Sequence, residues 1–232
     1  MKIKQFRYSS DNLGYLVYGR NIALAIDGGA AIPILSFIQS NNLILKYIAN
    51  THTHPDHTSG NRVLLSGSDA EYLEHTTLRK NRHIRLENEE LKVYHTPGHT
   101  LDSISFHFDA YLISGDTIFN GKVGKCFSGD LKSFYRSIKL ILELPRETMI
   151  YSGHDYVEEY MGFVQRLEPD NKYVDLFLEK YDPGNVYSTL EEEFKINPFI
   201  RFNDKKIISL LKKRGLPTNT EYERWKSIMS LH

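Results

Sequence analysis

At 232 residues, with 41% hydrophobic and 25% charged residues, the chain has the make-up of a globular protein and room for one large domain, or for a domain with a smaller appendage. Lysine plus arginine and aspartate plus glutamate number 29 each. That balance excludes the broad positive field that draws proteins to nucleic acid or anionic lipid, so a small-molecule partner is expected.

The opening Met1-Lys2-Ile3-Lys4-Gln5-Phe6-Arg7 offers no apolar signal region, and no stretch approaches the roughly 20 apolar residues of a membrane helix. Cys126 stands alone, which rules out an internal disulfide and suits a reducing, cytoplasmic setting. Lys2 to Tyr8, Gly14 to Tyr18 and Ile22 to Asp27 are short β-branched or aromatic stretches parted by turn clusters, the pattern of a β-meander. After Gly28-Gly29, the stretch Ala31 to Ile38 with Pro33 near its start reads as a helix and Leu43 to Ala49 as a strand. Thr51 onward is then a loop at a strand's C-terminal end. Glu87-Asn88-Glu89-Glu90 reads as a solvated turn before a strand. Further strands are expected at Leu91 to Tyr94, Ser103 to Phe108, Tyr111 to Ser114 and Met149 to Tyr151, with a helix from Leu131 to Leu144.

From Glu158 onward the periodicity turns helical, in Glu158 to Leu167, Lys172 to Tyr181, Ser188 to Phe194, Lys205 to Lys213 and Glu221 to Leu231. Strand signals cease there, and Ser188 and Glu191 have capping-box spacing. The expected division falls near residue 157, between a mixed α/β domain (1–157) and a helical region (158–232) too small to hold a large core alone.

The chemistry concentrates in Thr51-His52-Thr53-His54-Pro55-Asp56-His57-Thr58-Ser59-Gly60. Histidines two apart on extended backbone point to one side, and a turn after Pro55 brings Asp56 and His57 round to face a second position. Imidazole and carboxylate are the usual ligands of divalent metals, so four such side chains in six residues after a strand point to a metal site. His99 in Thr96-Pro97-Gly98-His99-Thr100, Asp116 in Gly115-Asp116-Thr117, and His154-Asp155 after Ser152-Gly153 each follow a strand or sit in a Gly-containing turn. Ligands from several strand ends can converge on one cleft, although any one of these residues taken singly is more simply a satisfied turn or capping group.

This motif set resembles the metallo-β-lactamase superfamily, and nearly the whole chain is similar to glyoxalase II, the hydroxyacylglutathione hydrolases. The matching features beyond the metal motifs are Asp11-Asn12 ahead of the first Tyr-Leu-Val strand, Gly115-Asp116-Thr117-Ile118-Phe119, Gly124-Lys125 and Gly153-His154-Asp155-Tyr156. Ser188-Thr189-Leu190-Glu191-Glu192-Glu193-Phe194 with Asn197-Pro198-Phe199-Ile200-Arg201 sets glyoxalase II apart from relatives that share only the metal loop.

The resemblance implies a four-layer αββα sandwich with a small C-terminal helical region and two divalent metal ions, zinc foremost, with iron or manganese as alternatives. It implies that His52, His54 and His99 hold one ion, that Asp56, His57 and His154 hold the other, and that Asp116 bridges them. Two cations sharing a water lower its pKa toward neutrality and polarise the carbonyl under attack, so Asp56 and Asp116 serve catalysis. A thiolate of pKa about 8.5 leaves without a strong general acid, and no Ser, Cys or Lys nucleophile is needed for thioester hydrolysis. The implied reaction converts S-lactoylglutathione and water to lactate and glutathione.

By the same resemblance Lys125 and Tyr156 contact glutathione, together with basic residues near the C-terminus. Two positions depart from the family pattern: Phe127 stands where a tyrosine is expected, and the expected Arg-x-x-Lys reads Glu223-Arg224-Trp225-Lys226. Arg224 and Lys226 are then the candidates to share the carrier contact. Other readings of the same fold are a persulfide dioxygenase with one iron, a lactonase or a non-catalytic metal-binding protein. Cys126 is read as a small half-buried thiol, and His75, His83, His95, His107 and His232 as surface or core histidines. A monomer or small homo-oligomer is expected.

Overall fold

The computed structural model describes residues 1–231; His232 lies outside the described residues. Strands β1 (Lys2–Tyr8), β2 (Asn12–Tyr18) and β3 (Ile22–Ile26) form the expected meander. Helix α1 (Ala31–Ser40) crosses over, and β4 (Ile44–Ala49) and β5 (Glu71–Tyr72) add in parallel to complete a five-stranded sheet in the order β1-β2-β3-β4-β5. Between β4 and β5 lie the one-turn helix α2 (Pro55–Thr58) and α3 (Asn61–Ser66), and α4 (His75–Asn81) leads to the second sheet.

That sheet uses β6 (His83–Leu86), β7 (Glu89–His95), β8 (Ile104–Phe108) and β9 (Tyr111–Gly115). A hairpin of β10 (Ile118–Phe119) and β11 (Lys122–Val123), helix α5 (Leu131–Leu142) and strand β12 (Met149–Ser152) follow. The chain then runs through α6 (Val157–Leu167), α7 (Tyr173–Lys180), β13 (Ser188–Thr189), α8 (Leu190–Ile196), α9 (Lys205–Lys213) and α10 (Glu221–Met229). The second sheet has the order β13-β12-β9-β8-β7-β6, with β12 parallel to β9 and the other pairs antiparallel.

Period-2 alternation assigns each strand's two faces. Leu13, Tyr15 and Val17 of β2 and Leu24 and Ile26 of β3 meet Ile104 and Phe106 of β8 and Ile113 of β9 between the sheets. The opposite faces are covered by helices. Leu16, Ala23, Ala25 and Ile48 pack under Ile34 and Ile38 of α1 and Leu64 of α3. Leu112 and Ile150 pack under Phe134, Ile138 and Ile141, which recur at helical spacing along α5, and under Phe199, Trp225 and Ile228 of the C-terminal region. The result is four layers, helix on sheet on sheet on helix.

Besides the short elements α3, α4, β5, β6, β10 and β11, which the sequence does not predict, three features depart from the sequence reading. Strand β13 lies where strand signals had ceased, so the C-terminal part of the chain extends the second sheet at its edge. Ser188 pairs with Ile150 in that strand, which moves the capping box one residue on: Thr189 Oγ1 accepts from Glu192 N–H at 3.2 Å while Glu192 Oε2 accepts from Thr189 N–H at 2.7 Å. The turn carboxylate of Glu87 is not merely solvated, because it accepts the backbone N–H groups of Arg20, Asn21 and Ile22.

Candidate metal centre

The seven candidate ligands arrive on four segments, each following a strand on the same edge of the two sheets. The first segment leaves β4. Pro55 occupies the first position of α2, where its fixed φ suits a helix start, and this one turn swings Asp56 and His57 back toward His52 and His54. His99 follows β7, Asp116 directly follows β9, and His154 lies two residues beyond β12. Their ligand atoms fall into three overlapping groups, each within 4.8 Å internally: His52, His54 and His99; His52, His57 and Asp116; Asp56, His57 and His154.

The outer nitrogens of four imidazoles are each held by the protein, and this fixes which nitrogen faces inward. His57 Nδ1 lies 2.9 Å from Asp27 Oδ2, His99 Nδ1 2.9 Å from the carbonyl of Lys125, and His154 Nδ1 3.1 Å from Asp11 Oδ1. His52 Nδ1 lies 3.1 Å from Thr51 Oγ1, whose own proton goes to Asp27 Oδ2 at 2.6 Å. A carbonyl, a carboxylate or an engaged hydroxyl can only accept here, so each Nδ1 carries the proton and each Nε2 presents a lone pair to the centre.

Those lone pairs are crowded. His57 Nε2 is 3.3 Å from His154 Nε2, and His54 Nδ1 is 2.9 Å from His52 Nε2 and 3.1 Å from His99 Nε2. Asp116 stands between the groups, Oδ1 3.4 Å from His57 Nε2 and Oδ2 3.4 Å from His99 Nε2 and 3.5 Å from His154 Nε2, and its buried Oδ1 has no hydrogen-bond partner among the described residues. Convergent lone pairs and an orphaned carboxylate oxygen are unfavourable unless a cation lies among them, so the donor set fits divalent metal ions.

Protonation preferences agree at His52 and His99, and His57 differs. Burial, reinforced by the surrounding imidazoles, holds His52 well below an ordinary histidine, and burial also lowers His99. At His57 burial acts the same way, but the carboxylates of Asp27, Asp116 and Asp56 outweigh it and raise the pKa to about 9.

Close packing leaves no room for side chains at two turn positions. A Cβ at Gly153 would lie 2.2 Å from Asp116 Oδ1, and at Gly115, where φ is +51°, it would lie 2.3 Å from Thr51 Oγ1.

Asp27 escaped the sequence reading. It ends the apolar strand β3 at φ +51°, fully buried, and accepts from Thr51 N–H and Thr51 Oγ1 as well as His57. The available signal was an acid closing an otherwise apolar strand just before Gly28-Gly29. Asn12 also supports the centre, donating to Asp56 Oδ2 at 2.8 Å. Asp155, next to His154, instead binds Arg7 and Tyr181 and carries no metal-facing role.

Beside the centre, the Phe127 ring is 60% exposed and lies 5.2 Å from His99 and 5.7 Å from His54, with Lys125 Nζ 5.1 Å above it. Tyr156 stacks on His154 at 5.0 Å. A cavity of about 310 Å³ is lined by Lys125, Cys126, Leu131, Lys226, Met229 and Ser230. Arg224 is not in this wall. Its guanidinium donates to Asn203 Oδ1 at 2.7 and 3.1 Å and to the carbonyl of Thr218 at 3.1 Å. Two residues along a helix turn through about 200°, so Arg224 and Lys226 leave α10 on different sides. Glu223 caps the same helix with Thr220.

Comparison with known proteins places these features in context. The family model described as hydroxyacylglutathione hydrolase C-terminus matches residues 155–228, and that of the metallo-beta-lactamase superfamily matches residues 74–154. A hydroxyacylglutathione hydrolase of Pelagibacter ubique (strain HTCC1062) is 35% identical, over 91% of this chain and 98% of its own. One of Idiomarina loihiensis is 32% identical, over 83% of this chain and 82% of its own. Among solved structures, ETHE1 from Myxococcus xanthus superposes with a TM-score of 0.68 at 22% identity, covering 99% of this chain and 90% of that one. TTHA1623 in a di-iron-bound form superposes with a TM-score of 0.57 at 25% identity, covering 81% and 94%.

Proposed function

The chain belongs to the hydroxyacylglutathione hydrolase family, and from that premise we propose that it hydrolyses S-lactoylglutathione, or a closely related glutathione thioester, at a centre for two divalent cations. His52, His54 and His99 would hold one ion, Asp56, His57 and His154 the other, with Asp116 shared. The observation that carries this reading is the position of Asp116, whose carboxylate lies within 3.5 Å of imidazoles of both sets, His99 of the first and His57 and His154 of the second. Zinc is our reading of the metal; iron and manganese accept the same donors, and the similar TTHA1623 was solved with two irons.

When bound, such ions supply a nucleophilic water of near-neutral pKa and polarise the thioester carbonyl. The chain's own residues do the rest. Asp27, Asp11, Thr51 and the Lys125 carbonyl hold the imidazoles in one tautomer and one orientation. Lys125 and Lys226, on the wall of one cavity, would take the carboxylate of the thiol carrier, and Phe127 and Tyr156 would flank it. Arg224 would brace the helix that carries Lys226.

A catalytic part (1–157) and a helical, substrate-binding part (158–232) are supported by Lys226 reaching the cavity from α10. We also read the protein as cytoplasmic, a monomer or small homo-oligomer, without nucleic-acid or membrane partners. The charge balance and the lone Cys126 favour this, and none of the described helices is long and apolar enough to cross a membrane.

The test is elemental analysis and steady-state hydrolysis of S-lactoylglutathione for wild type and Asp116→Ala, with oxygen uptake on a persulfide as a second arm. Two ions per chain, with occupancy and hydrolysis falling together in the variant, are expected. One ion per chain, unchanged in the variant, or oxygen uptake without hydrolysis, would sink the reading.

A further inference from the structure

The turn that carries His154 is stitched to its surroundings by backbone bonds. Gly153 N–H donates to Gly115 O at 3.0 Å, Leu13 N–H to Gly153 O at 2.8 Å, and Asp155 N–H to Asp11 O at 2.8 Å. One further hold comes from far along the chain and runs through side chains. The Ser152 hydroxyl shares its proton between the His154 carbonyl, 2.8 Å away, and Asn120 Oδ1, 3.1 Å away. The Asn120 amide donates to Ser188 Oγ at 2.7 Å and to Ile150 O at 3.2 Å. Ser188 in turn donates to Glu193 Oε1 at 2.6 Å, and Glu193 also accepts from Gly121 N–H and, at 2.7 Å, from Asn197 Nδ2.

Asn120, Ser152, Ser188, Glu193 and Asn197 are each at most 1% exposed. A polar chain so enclosed is held together by the cost of leaving any member unpaired, so a displacement at one end is felt at the other. Among the hydrogen bonds of the described residues, this chain meets a candidate ligand residue at the His154 carbonyl. A network serving the C-terminal segment alone could have ended at Ile150 O.

We propose that Asn120 is a positioning residue for the metal centre, transmitting the placement of the β13–α8 segment through Ser152 to the turn that carries His154. The inference rests on the reading of the centre given above. Outer partners of ligand residues commonly change metal affinity by about 10- to 100-fold; Asn120 acts one bond further out, on the backbone rather than the imidazole, so about tenfold is expected.

The experiment uses the full chain, stripped with a chelator and titrated with cobalt(II), following uptake by competition with a chromophoric chelator and the visible absorption of the bound ion. Wild type is compared with Asn120→Ala, with the milder Ser188→Ala, and with Glu168→Gln. The last breaks the buried Arg201 pair, 2.7 Å in length, in the same C-terminal region without touching the chain of hydrogen bonds. The expected result is two ions in wild type, one of them bound about tenfold more weakly and with altered absorption in Asn120→Ala, and a smaller loss in Ser188→Ala. Glu168→Gln should melt earlier yet keep both affinities. Wild-type affinities in a folded Asn120→Ala would overturn the proposal, as would an equal loss in Glu168→Gln, which would reduce the network to general stability. If Asn120→Ala does not fold, Ser188→Ala against Glu168→Gln decides. Uptake of fewer than two ions by wild type overturns the reading of the centre and the proposal with it, and is seen before any variant is compared.

Discussion

Asp27 Oδ2 stands 2.9 Å from His57 Nδ1, and both side chains are fully enclosed. Three donors converge on that carboxylate: Thr51 N–H, Thr51 Oγ1 and His57 Nδ1–H. In Asp27→Asn one oxygen becomes an NH2 group that meets a donor instead of accepting from it. Metal affinity should fall by about 10- to 100-fold, read as the metal retained after dialysis against a graded chelator. Retention equal to wild type would show that His57 is oriented by something else.

Gly153→Ala inserts a methyl where 2.2 Å separates the added carbon from Asp116 Oδ1. The strands around it are unaffected, so the far-ultraviolet circular dichroism should be unchanged. Displacing a ligand by about 1 Å costs about 100-fold in rate, and hydrolysis should fall by that order with reduced metal occupancy. A variant with full occupancy and near-normal turnover would contradict the crowded geometry.

The two cations near the C-terminus should separate kinetically. Lys226→Ala removes one of the two charges that line the cavity with Lys125, and a charge-assisted contact remote from the reacting carbonyl acts as uniform binding. Its KM for S-lactoylglutathione should rise about tenfold with kcat nearly unchanged. Arg224→Ala should leave KM as in wild type, because its guanidinium is engaged by Asn203 and Thr218. Phe127→Tyr adds a donor worth about 1 kcal/mol, so KM should drop severalfold. The reverse pattern for Lys226 and Arg224 would show that the carrier sits elsewhere.

Glu193 gives the stability a pH dependence of unusual sign. Burial pushes its carboxyl up to about 7, against the bonds from Ser188, Asn197 and Gly121 that favour the anion. The folded state therefore keeps a proton that the unfolded chain, with an ordinary glutamate value of 4.5, has released. The contribution is fully present below pH 4.5 and is lost as the pH climbs through about 7. Denaturant titrations of wild type and Glu193→Gln across that window should differ by a slope of at most one proton, the wild type losing ground as pH rises. Parallel curves would place the Glu193 carboxyl at its ordinary value.

Much of the centre could be read in advance because its chemistry is local in sequence: His52, His54, Asp56 and His57 share one loop, and strand ends announced the rest. The layers also followed from alternation in β2, β3 and β8 and from helical spacing in α5. What could not be read depends on long-range partners. Asp27 looks like any strand-ending acid until Thr51 and His57 are folded against it. Ser188 has cap-like spacing, yet its pairing with Ile150 hands the cap to Thr189. Short helices such as α3 and α4 carry too few periodic residues to register, and β13 is only a two-residue edge. Arg224 and Lys226 look interchangeable in a linear string, and only the packing of Trp225 decides which faces the cavity.

The pairing of Asp11 with His154 spans 143 residues. Contacts so far apart in sequence form late in folding, after the loop they close has been drawn together. A ribosome delivers His52, His54 and His99 long before His154 emerges, and α5 and β12 must be made before the N-terminal strands gain their last backbone partners at Gly153 and Asp155. A chain that captures metal during synthesis would thus fill the three-imidazole side first, and its second donor set would stay open until translation has passed His154.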